Sequence, residues 1–352
     1  MAVAGPDVQG LAVARELNSK PLVSVVLPVY NGERWLASSL QSVLAQTYSR
    51  FEVLVMDDAS TDATGAIARS FADDRVRYHR NEQNLGQFGN VNAGIARASG
   101  ELVALYHADD LFEPDLIERE VEYLVQNPQA GGVFCTDVFI DPEGREFGRS
   151  MLPAEFQGGR PLEYGDVLNG VLRYGNVFLR GQTSMIRRSV YEDVGPFVEH
   201  YGLRGDLEMW LRVARRAPLG IVDQHLVRYR WGHENVSRLY ERLRTEPELW
   251  FALVDDLLAA GDRRLAAPDA LTAYEAHRAE DLLRVAINQY VLGGLSDARR
   301  TLRSTRVASI VRSRRVQRTR LVGLWAALNV LCRLPPIGPV ADAFYRRWGR
   351  GR

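Results

Sequence analysis

The feature that most limits how this chain can fold is a repeated switch of hydrophobic period along its first third. Val23–Val29 and residues 51–56 are short, near-continuous apolar runs rich in β-branched residues, the pattern of strands buried on both faces. Residues 76–79 and 102–106 repeat that pattern. Between the runs the period becomes helical: Trp35, Leu36, Leu40, Val43 and Leu44 fall on one face, Ile67 and Phe71 on another, and residues 87–98 make a third helix closed by Gly100. Ser60 or Thr61 is placed to cap the second of these helices. Strands alternating with helices predict an α/β fold, a mostly parallel sheet with helices on both faces. The C-terminal strand ends of such a sheet share one edge, where ligands bind. Here those ends are Tyr30-Asn-Gly32, Asp57-Asp58 and Asp109-Asp110.

Two adjacent acids at the end of a buried strand need an explanation. The run 102–106 stops at His107-Ala-Asp-Asp110, and Pro114 restarts the chain. Neighbouring carboxylates repel each other unless a cation lies between them, and oxygen ligands suit a hard divalent ion. An aspartate N-cap for the following helix accounts for one acid but not for two. A dinucleotide-binding fold would need Gly-x-Gly-x-x-Gly after the first strand, whereas the turn here, Pro28-Val-Tyr-Asn-Gly-Glu33, has one glycine and an aromatic ring. There is no phosphate-cradling glycine loop and no P-loop lysine. A nucleotide diphosphate would therefore be neutralised by a metal ion at the Asp109 strand end.

Composition sets the scale. A chain of 352 residues, 46% hydrophobic and 25% charged, can bury a large core and suggests two domains, or one with an appendage. The net charge of zero hides an asymmetry: residues 297–352 hold fourteen arginines and two aspartates, so this tail carries +12 and the rest −12. Cys135 and Cys332 are too few and too far apart for a disulfide framework or a zinc site, which fits a reducing compartment. Asp7 and Glu16 interrupt any signal segment, so residues 1–20 are expected to be a loose extension of a cytoplasmic protein. No run reaches the ~18 apolar residues of a membrane span.

Four of these stretches, in order, resemble the signatures of family 2 glycosyltransferases of GT-A fold: Pro28-Val-Tyr-Asn31, Asp57-Asp-Ala-Ser-Thr-Asp62, Asn84-Leu-Gly86 with Asn92-Ala-Gly94, and Ala108-Asp-Asp110. Order and spacing match over residues 21–235. The resemblance implies inverting transfer of a sugar from a nucleotide-diphosphate donor of UDP type, with Mg²⁺ or Mn²⁺. It implies a donor site drawn from Pro28, Tyr30, Asn31, Asp58, Asn84, Gly86, His107, Ala108, Asp109 and Arg230. In that site Tyr30 stacks on the nucleobase, Asp58 accepts a hydrogen bond from it, and Asp109 holds the metal. One departure stands out. The first acid of the family's Asp-x-Asp is His107 here, a residue that supplies a ring nitrogen but no negative charge. Asp110 is left to cap the next helix.

The second half contributes the proton chemistry. Residues 118–126 read as a helix, Gly132–Ile140 as a strand, 141–180 as a region without a clear assignment, and 181–188 as a strand leading back under the site. In Gly202-Leu-Arg-Gly-Asp206-Leu-Glu-Met-Trp-Leu-Arg212, Leu207, Trp210, Leu211 and Ala214 share a helical face and Asp206 lies at the helix N-terminus. An N-cap is one reading. The resemblance to the family's Glu-Asp motif instead makes Asp206 the catalytic base, with Gly205 standing where the family has Glu. A helix N-terminus lowers a carboxyl pKa, so a base there needs partial burial. Residues 219–222 and 226–229 read as two strands, and the resemblance has Arg230 or His233 reaching the diphosphate or the metal.

From residue 238 on, the pattern is helical throughout. Residues 299–320 are densely basic, and residues 321–332 form an apolar stretch followed by Pro335-Pro336. That suits a helix lying in the membrane interface beside anionic lipid, at the inner face of the cytoplasmic membrane; a packed C-terminal helix is the alternative. Nothing interleaves aromatics with the arginines, which argues against nucleic acid. The expected organisation is thus an extension (1–20), a nucleotide-sugar-binding half (21–140), an acceptor-binding half (141–237) and a helical region (238–352). The expected activity is transfer to a hydroxyl of a glycan or lipid-linked acceptor in cell-surface polysaccharide biosynthesis. The alternatives are a catalytically silent nucleotide-sugar binder or scaffold, kept open by His107 and Gly205, and a nucleotidyltransferase.

Overall fold

A computed structural model describes residues 20–232, 244–312 and 318–333. These fall into two compact units, one within Met1–Val167 and Asn176–His233, the other within Leu168–Gly175 and Glu234–Arg352. The first unit opens with β1 (Val23–Val29), α1 (Leu36–Leu44), β2 (Phe51–Asp57), α2 (Thr64–Ser70), β3 (Val76–Arg80), α3 (Gly86–Ile95) and β4 (Leu102–Leu105). The four strands lie in the order β3-β2-β1-β4, all parallel. Because Val29 is in register with Asp57 and Val26 with Leu105, the C-terminal ends of β1, β2 and β4 share one edge, as the alternation predicts. All seven residues of β2 are buried, which is why its sequence is continuously apolar rather than alternating.

Beyond β4 come β5 (Leu111–Phe112), α4 (Leu116–Gln126), β6 (Gly132–Ile140), β7 (Glu146–Arg149), α5 (Tyr164–Tyr174), β8 (Ser184–Arg187), α6 (Arg188–Val194), α7 (Gly205–Arg216) and β9 (Leu219–Arg230). β8 runs antiparallel between β4 and β6, β9 runs parallel to β6, and β5 and β7 pair antiparallel with β9 and β6. Three details differ from the sequence reading. The two short strands expected over 219–229 are one strand, whose pairing with β6 absorbs the polar stretch Asp223-Gln-His225 through register shifts at Cys135, Thr136 and Asp137. The unassigned region 141–180 supplies β7 and α5. Neither Ser60 nor Thr61 caps α2, which starts at Thr64 after Ala63; the Ser60 hydroxyl is engaged elsewhere.

Leu36, Leu40 and Val43 of α1 and Leu116, Ile117, Val121 and Leu124 of α4 close over one face of the sheet in a common core. Trp210 of α7 is fully buried, edge-on to Phe134 of β6 at 5.2 Å and to Phe197 at 5.6 Å.

The second unit is helical among the described residues, with α5 from Leu168 on, α8 (Leu249–Ala259), α9 (Pro268–Val291), α10 (Leu295–Ser304), α11 (Val307–Arg312) and α12 (Arg318–Leu331). Its core joins Leu283 and Ala286 of α9, Leu302 of α10, Ile310 of α11, and Leu321 and Leu328 of α12 with Cys332. The apolar stretch 321–332 thus buries part of its surface within this unit, and leaves Gly323, Ala326, Ala327 and Val330 outward. No described helix is long and apolar enough to cross a membrane.

Gly94 allows α3 to rest on the sheet. A Cβ there would lie 2.4 Å from Val26 Cγ1 and 3.0 Å from Met56 Cγ. Gly94→Ala is expected to lower the unfolding free energy by about 1–3 kcal/mol through overpacking, read from the midpoint of chemical denaturation.

Candidate active site

The loops after β1 and β2 are laced together by their own polar groups. Asn31 N–H donates to Ser60 Oγ (2.9 Å), Thr61 N–H to Asn31 Oδ1 (2.8 Å) and Gly32 N–H to Thr64 Oγ1 (2.8 Å). Asp62 accepts from Glu33 N–H at 3.0 Å, and Glu33 accepts from Ala63 N–H at 3.0 Å. This lacing holds Asn31 and Ala59 at φ of 50° and 62°, the left-handed region that residues with a Cβ seldom enter. Asp57, fully buried, anchors the second loop through Ser60 N–H (2.8 Å) and Arg80 (3.0 Å). Burial alone would raise its carboxyl pKa, but hydrogen bonds from Ser60, Tyr78 and Arg80 outweigh that and hold it below the ordinary range.

Asp58 Oδ1 accepts Asn81 Nδ2–H (2.9 Å) and Leu85 N–H (2.8 Å), so this acid also fixes the Asn84-Leu-Gly86 turn. Asn84 Oδ1 in turn accepts Gly86 N–H at 3.0 Å, and Gly86 has φ 77°. Pro28 lies in the last turn-facing part of β1, and Tyr30 projects from its end with 53% of its surface exposed.

At the end of β4 the acids behave differently from expectation. Asp110 does not cap α4; that helix starts at Leu116 with Asp115 at the cap position. Asp110 is fully buried, and its Oδ1 accepts the backbone N–H of Arg230 at 2.8 Å, tying β4's end to β9. Its Oδ2 has no hydrogen-bond partner among the described residues and lies 3.7 Å from His107 Nδ1. Burial, with the negative charge of Asp109 next, pushes the Asp110 carboxyl pKa well above its usual range, and the Arg230 N–H offsets this only in part. Burial also lowers the His107 pKa, against the pull of Asp109, so the imidazole is neutral with a lone pair to offer.

One ligand atom each from His107, Asp109 and Asp110 lies within 4.8 Å of the others. An orphaned buried carboxylate oxygen, a second carboxylate and a neutral imidazole fit a hard divalent cation. Ala108, in their midst, is buried.

Arg230, which the resemblance has reaching the diphosphate or the metal, lies against the strand end. It is 3% exposed, and its guanidinium donates to Asp109 O (2.9 Å), Pro142 O (3.0 Å) and Asp141 O (3.2 Å), pinning the strand end to the β6–β7 turn. His233 lies outside the described residues. A cation that sequence reasoning passed over is Arg34, exposed on the donor loop. Its guanidinium carbon is 4.2 Å from the Trp35 ring centroid, and Arg230's is 4.1 Å from the same ring.

Asp206 sits inside the first turn of α7, not at its cap. The helix begins at Gly205 after Arg204, and Asp206 Oδ1 accepts the N–H of its neighbour Leu207 at 2.6 Å. The carboxyl is half-buried and its pKa is pushed up to about 6, chiefly by burial, with the Leu207 N–H and the Arg204 charge pulling it back. Glu208, the other acid of the turn, is held by Arg212 at 2.6 and 2.8 Å. Gly205 has a steric cause: a Cβ there would lie 2.6 Å from both Phe88 Cε2 and Val198 O. Phe88 stacks on Phe197 at 5.5 Å, which meets Trp210 edge-on, so an aromatic column fills the space a glutamate would need.

Asp137 was also overlooked. It interrupts the otherwise apolar β6, and an acid in a buried strand was the available signal. It is fully buried, 3.5 Å from Arg180 Nε, and its charge reaches Asp110 and Tyr229. The charge of Arg180 acts on Tyr229 and, far behind burial, on Asp206.

The pattern of glycosyl transferase family 2 matches residues 24–195. An uncharacterized glycosyltransferase of Haemophilus influenzae is 30% identical over 231 residues, 64% of this chain and 70% of that protein. The putative glycosyltransferase EpsE of Bacillus subtilis is 31% identical over 201 residues, 56% of this chain and 68% of that protein. Among solved structures, S. aureus TarS 1-349 in complex with UDP-GlcNAc has a similar fold, with a TM-score of 0.57 at 18% identity over 92% of this chain and 91% of that one.

Because the aromatic column, not the base itself, excludes a side chain at position 205, Gly205→Ala is expected to cost about 1–3 kcal/mol of stability, measured by urea denaturation. Gly205→Ala combined with Phe88→Leu should recover part of that loss.

Proposed function

This chain belongs to glycosyl transferase family 2, and we propose that it moves a sugar, with inversion, from a UDP-type nucleotide-diphosphate donor to a hydroxyl of a glycan or lipid-linked acceptor. The observation that carries the reading is the pairing of two chemistries. One is a His107, Asp109 and Asp110 cluster with an orphaned buried oxygen. The other is Asp206, a carboxyl in the first turn of α7 that burial lifts to about 6.

In this reading the nucleobase stacks on Tyr30 and hydrogen-bonds Asp58, whose Oδ1 is already committed to the Asn84–Gly86 turn and whose Oδ2 takes the base. Arg34, steadied on Trp35, faces the diphosphate. His107, Asp109 and Asp110 would hold Mg²⁺ or Mn²⁺, which when bound supplies Lewis-acid stabilisation of the departing diphosphate. Asp206 takes the acceptor's hydroxyl proton onto a carboxylate oxygen as the hydroxyl oxygen bonds to the anomeric carbon and the bond to the diphosphate oxygen breaks. Attack on the face opposite the leaving group inverts that carbon. A role in cell-surface polysaccharide assembly fits this chemistry. The basic tail, Arg300, Arg303 and Arg306 among it, would keep the enzyme at an anionic membrane surface.

A panel of nucleotide-sugars with Mn²⁺ tests the reading by release of nucleoside diphosphate; no release from any donor, with no thermal stabilisation by nucleoside diphosphates, would sink it. Asp206→Asn should lower turnover by about 10²-fold or more, the scale of general-base catalysis, while leaving nucleotide stabilisation in place. The base acts as its anion, so kcat/KM should fall about tenfold per pH unit below about 6 and level off above it.

Cation binding has its own readout. Mn²⁺ should raise the melting temperature of the wild-type protein, and Asp109→Asn should abolish that rise; an equal rise in both would remove the cluster from the metal's coordination.

A further inference from the structure

From Leu321 on, α12 is apolar on every side, yet one of those sides faces water. Asn329 alone breaks the run, and its side chain turns back to donate to Trp325 O at 2.9 Å. Leu321, Leu328 and, just past the helix, Cys332 enter the core of the second unit. Gly323, Ala326, Ala327 and Val330 recur at i, i+3, i+4 and i+7, so they share one face. All four are exposed, Val330 by 61%. The water-facing stripe of a surface helix is ordinarily polar or charged, and a helix apolar all round is ordinarily covered all round.

The charge about this face has one sign. Residues 298–341 hold ten arginines and no acid. Arg320 stands just before the apolar face and Arg333 just after it, both exposed. Arg299 Nε donates to Cys332 O at 2.8 Å, which sets the start of α10 against the end of α12 and brings exposed Arg300 into the same neighbourhood.

A partner has to satisfy both features. Duplex nucleic acid would meet the arginines, but its outer surface is phosphate and gives the apolar face nothing. A second copy set against the same face would bring like charges together. A bilayer with anionic headgroups meets both, since its headgroups take the arginines and its acyl boundary takes the apolar side. With 14 residues α12 is too short to cross, which leaves it lying along the surface.

We propose that α12 is an interfacial helix. Its Gly323, Ala326, Ala327 and Val330 side enters the headgroup boundary of an anionic bilayer, and Arg320 and Arg333 meet the headgroups at its two ends. This rests on the membrane part of the reading above, and adds to the arginines a helix face that inserts.

Co-sedimentation of the full chain with vesicles tests it, using phosphatidylcholine alone and phosphatidylcholine mixed with phosphatidylglycerol. Wild type is expected to bind the mixed vesicles and not the neutral ones. Ala327→Gln combined with Val330→Asn leaves the charge unchanged and alters only exposed positions, so the melting temperature should hold while binding weakens about fivefold. Val330→Leu should bind at least as tightly as wild type. Equal binding by wild type and the double variant overturns insertion and leaves an arginine tether. Absence of binding to the mixed vesicles, whether beside retention of duplex DNA or beside a dimer seen by light scattering, overturns the tether as well. Release of nucleoside diphosphate from sugar donors, measured without vesicles, should be the same in wild type and double variant, and reports on the transferase reading separately.

Discussion

Asp110 has no access to water, and the geometry of the site turns on how the protein tolerates that. Its carboxyl sits where the parallel half of the sheet gives way to the mixed half, fastened to β9 through the Arg230 N–H. An ionised carboxylate buried without full compensation costs several kcal/mol, far more than one neutral hydrogen bond returns. Two states relieve it: a proton on the orphaned oxygen, or a cation shared with Asp109 and His107. Burial favours the first by pushing the carboxyl pKa above its usual range. The oxygen concerned has no hydroxyl or amide partner among the described residues. Arg230 belongs to the same arrangement, since its guanidinium ties three carbonyls around the carboxyl and keeps the strand end from opening.

Asp206 poses the opposite balance. In the first turn of a helix, aligned N–H groups favour the carboxylate by about 0.3–1 kcal/mol. A rise from 3.8 to about 6 corresponds to about 3 kcal/mol in the other direction. Burial therefore wins over the helix end, and the group becomes basic enough to accept a proton near neutrality. Glu208 shows what the same turn does to an acid that is spoken for: Arg212 engages both its oxygens.

How much of this was legible in the sequence follows from how far apart the partners are. The alternation from β1 to β4 was legible because each buried strand writes its burial into a local run, and the shared edge of Tyr30, Asp58 and Asp109 follows from parallel pairing alone. The role of Asp110 was not, because its partner is 120 residues away and a backbone N–H leaves no mark in composition. The same distance hid the engagement of Arg230, which reads locally as a free loop cation. β9 was read as two strands because its polar centre breaks the apolar run, and only its pairing with β6 keeps it continuous. Asp137 was legible in principle, as an acid inside a buried strand, and was passed over because the run around it was so plainly apolar.

The two departures from the family pattern sit in different physical settings. At position 205 the setting is crowded, for Phe88 and the backbone of Val198 already occupy the space of a side chain. At position 107 the setting is one of charge. The negative charges of Asp109 and Asp137 both act on the buried Asp110 carboxyl, against the N–H and guanidinium of Arg230. A further carboxylate at 107 would add to that repulsion. A neutral imidazole keeps a donor atom at that point and leaves Asp109 and Asp110 as a formal charge of −2, the amount a divalent ion neutralises.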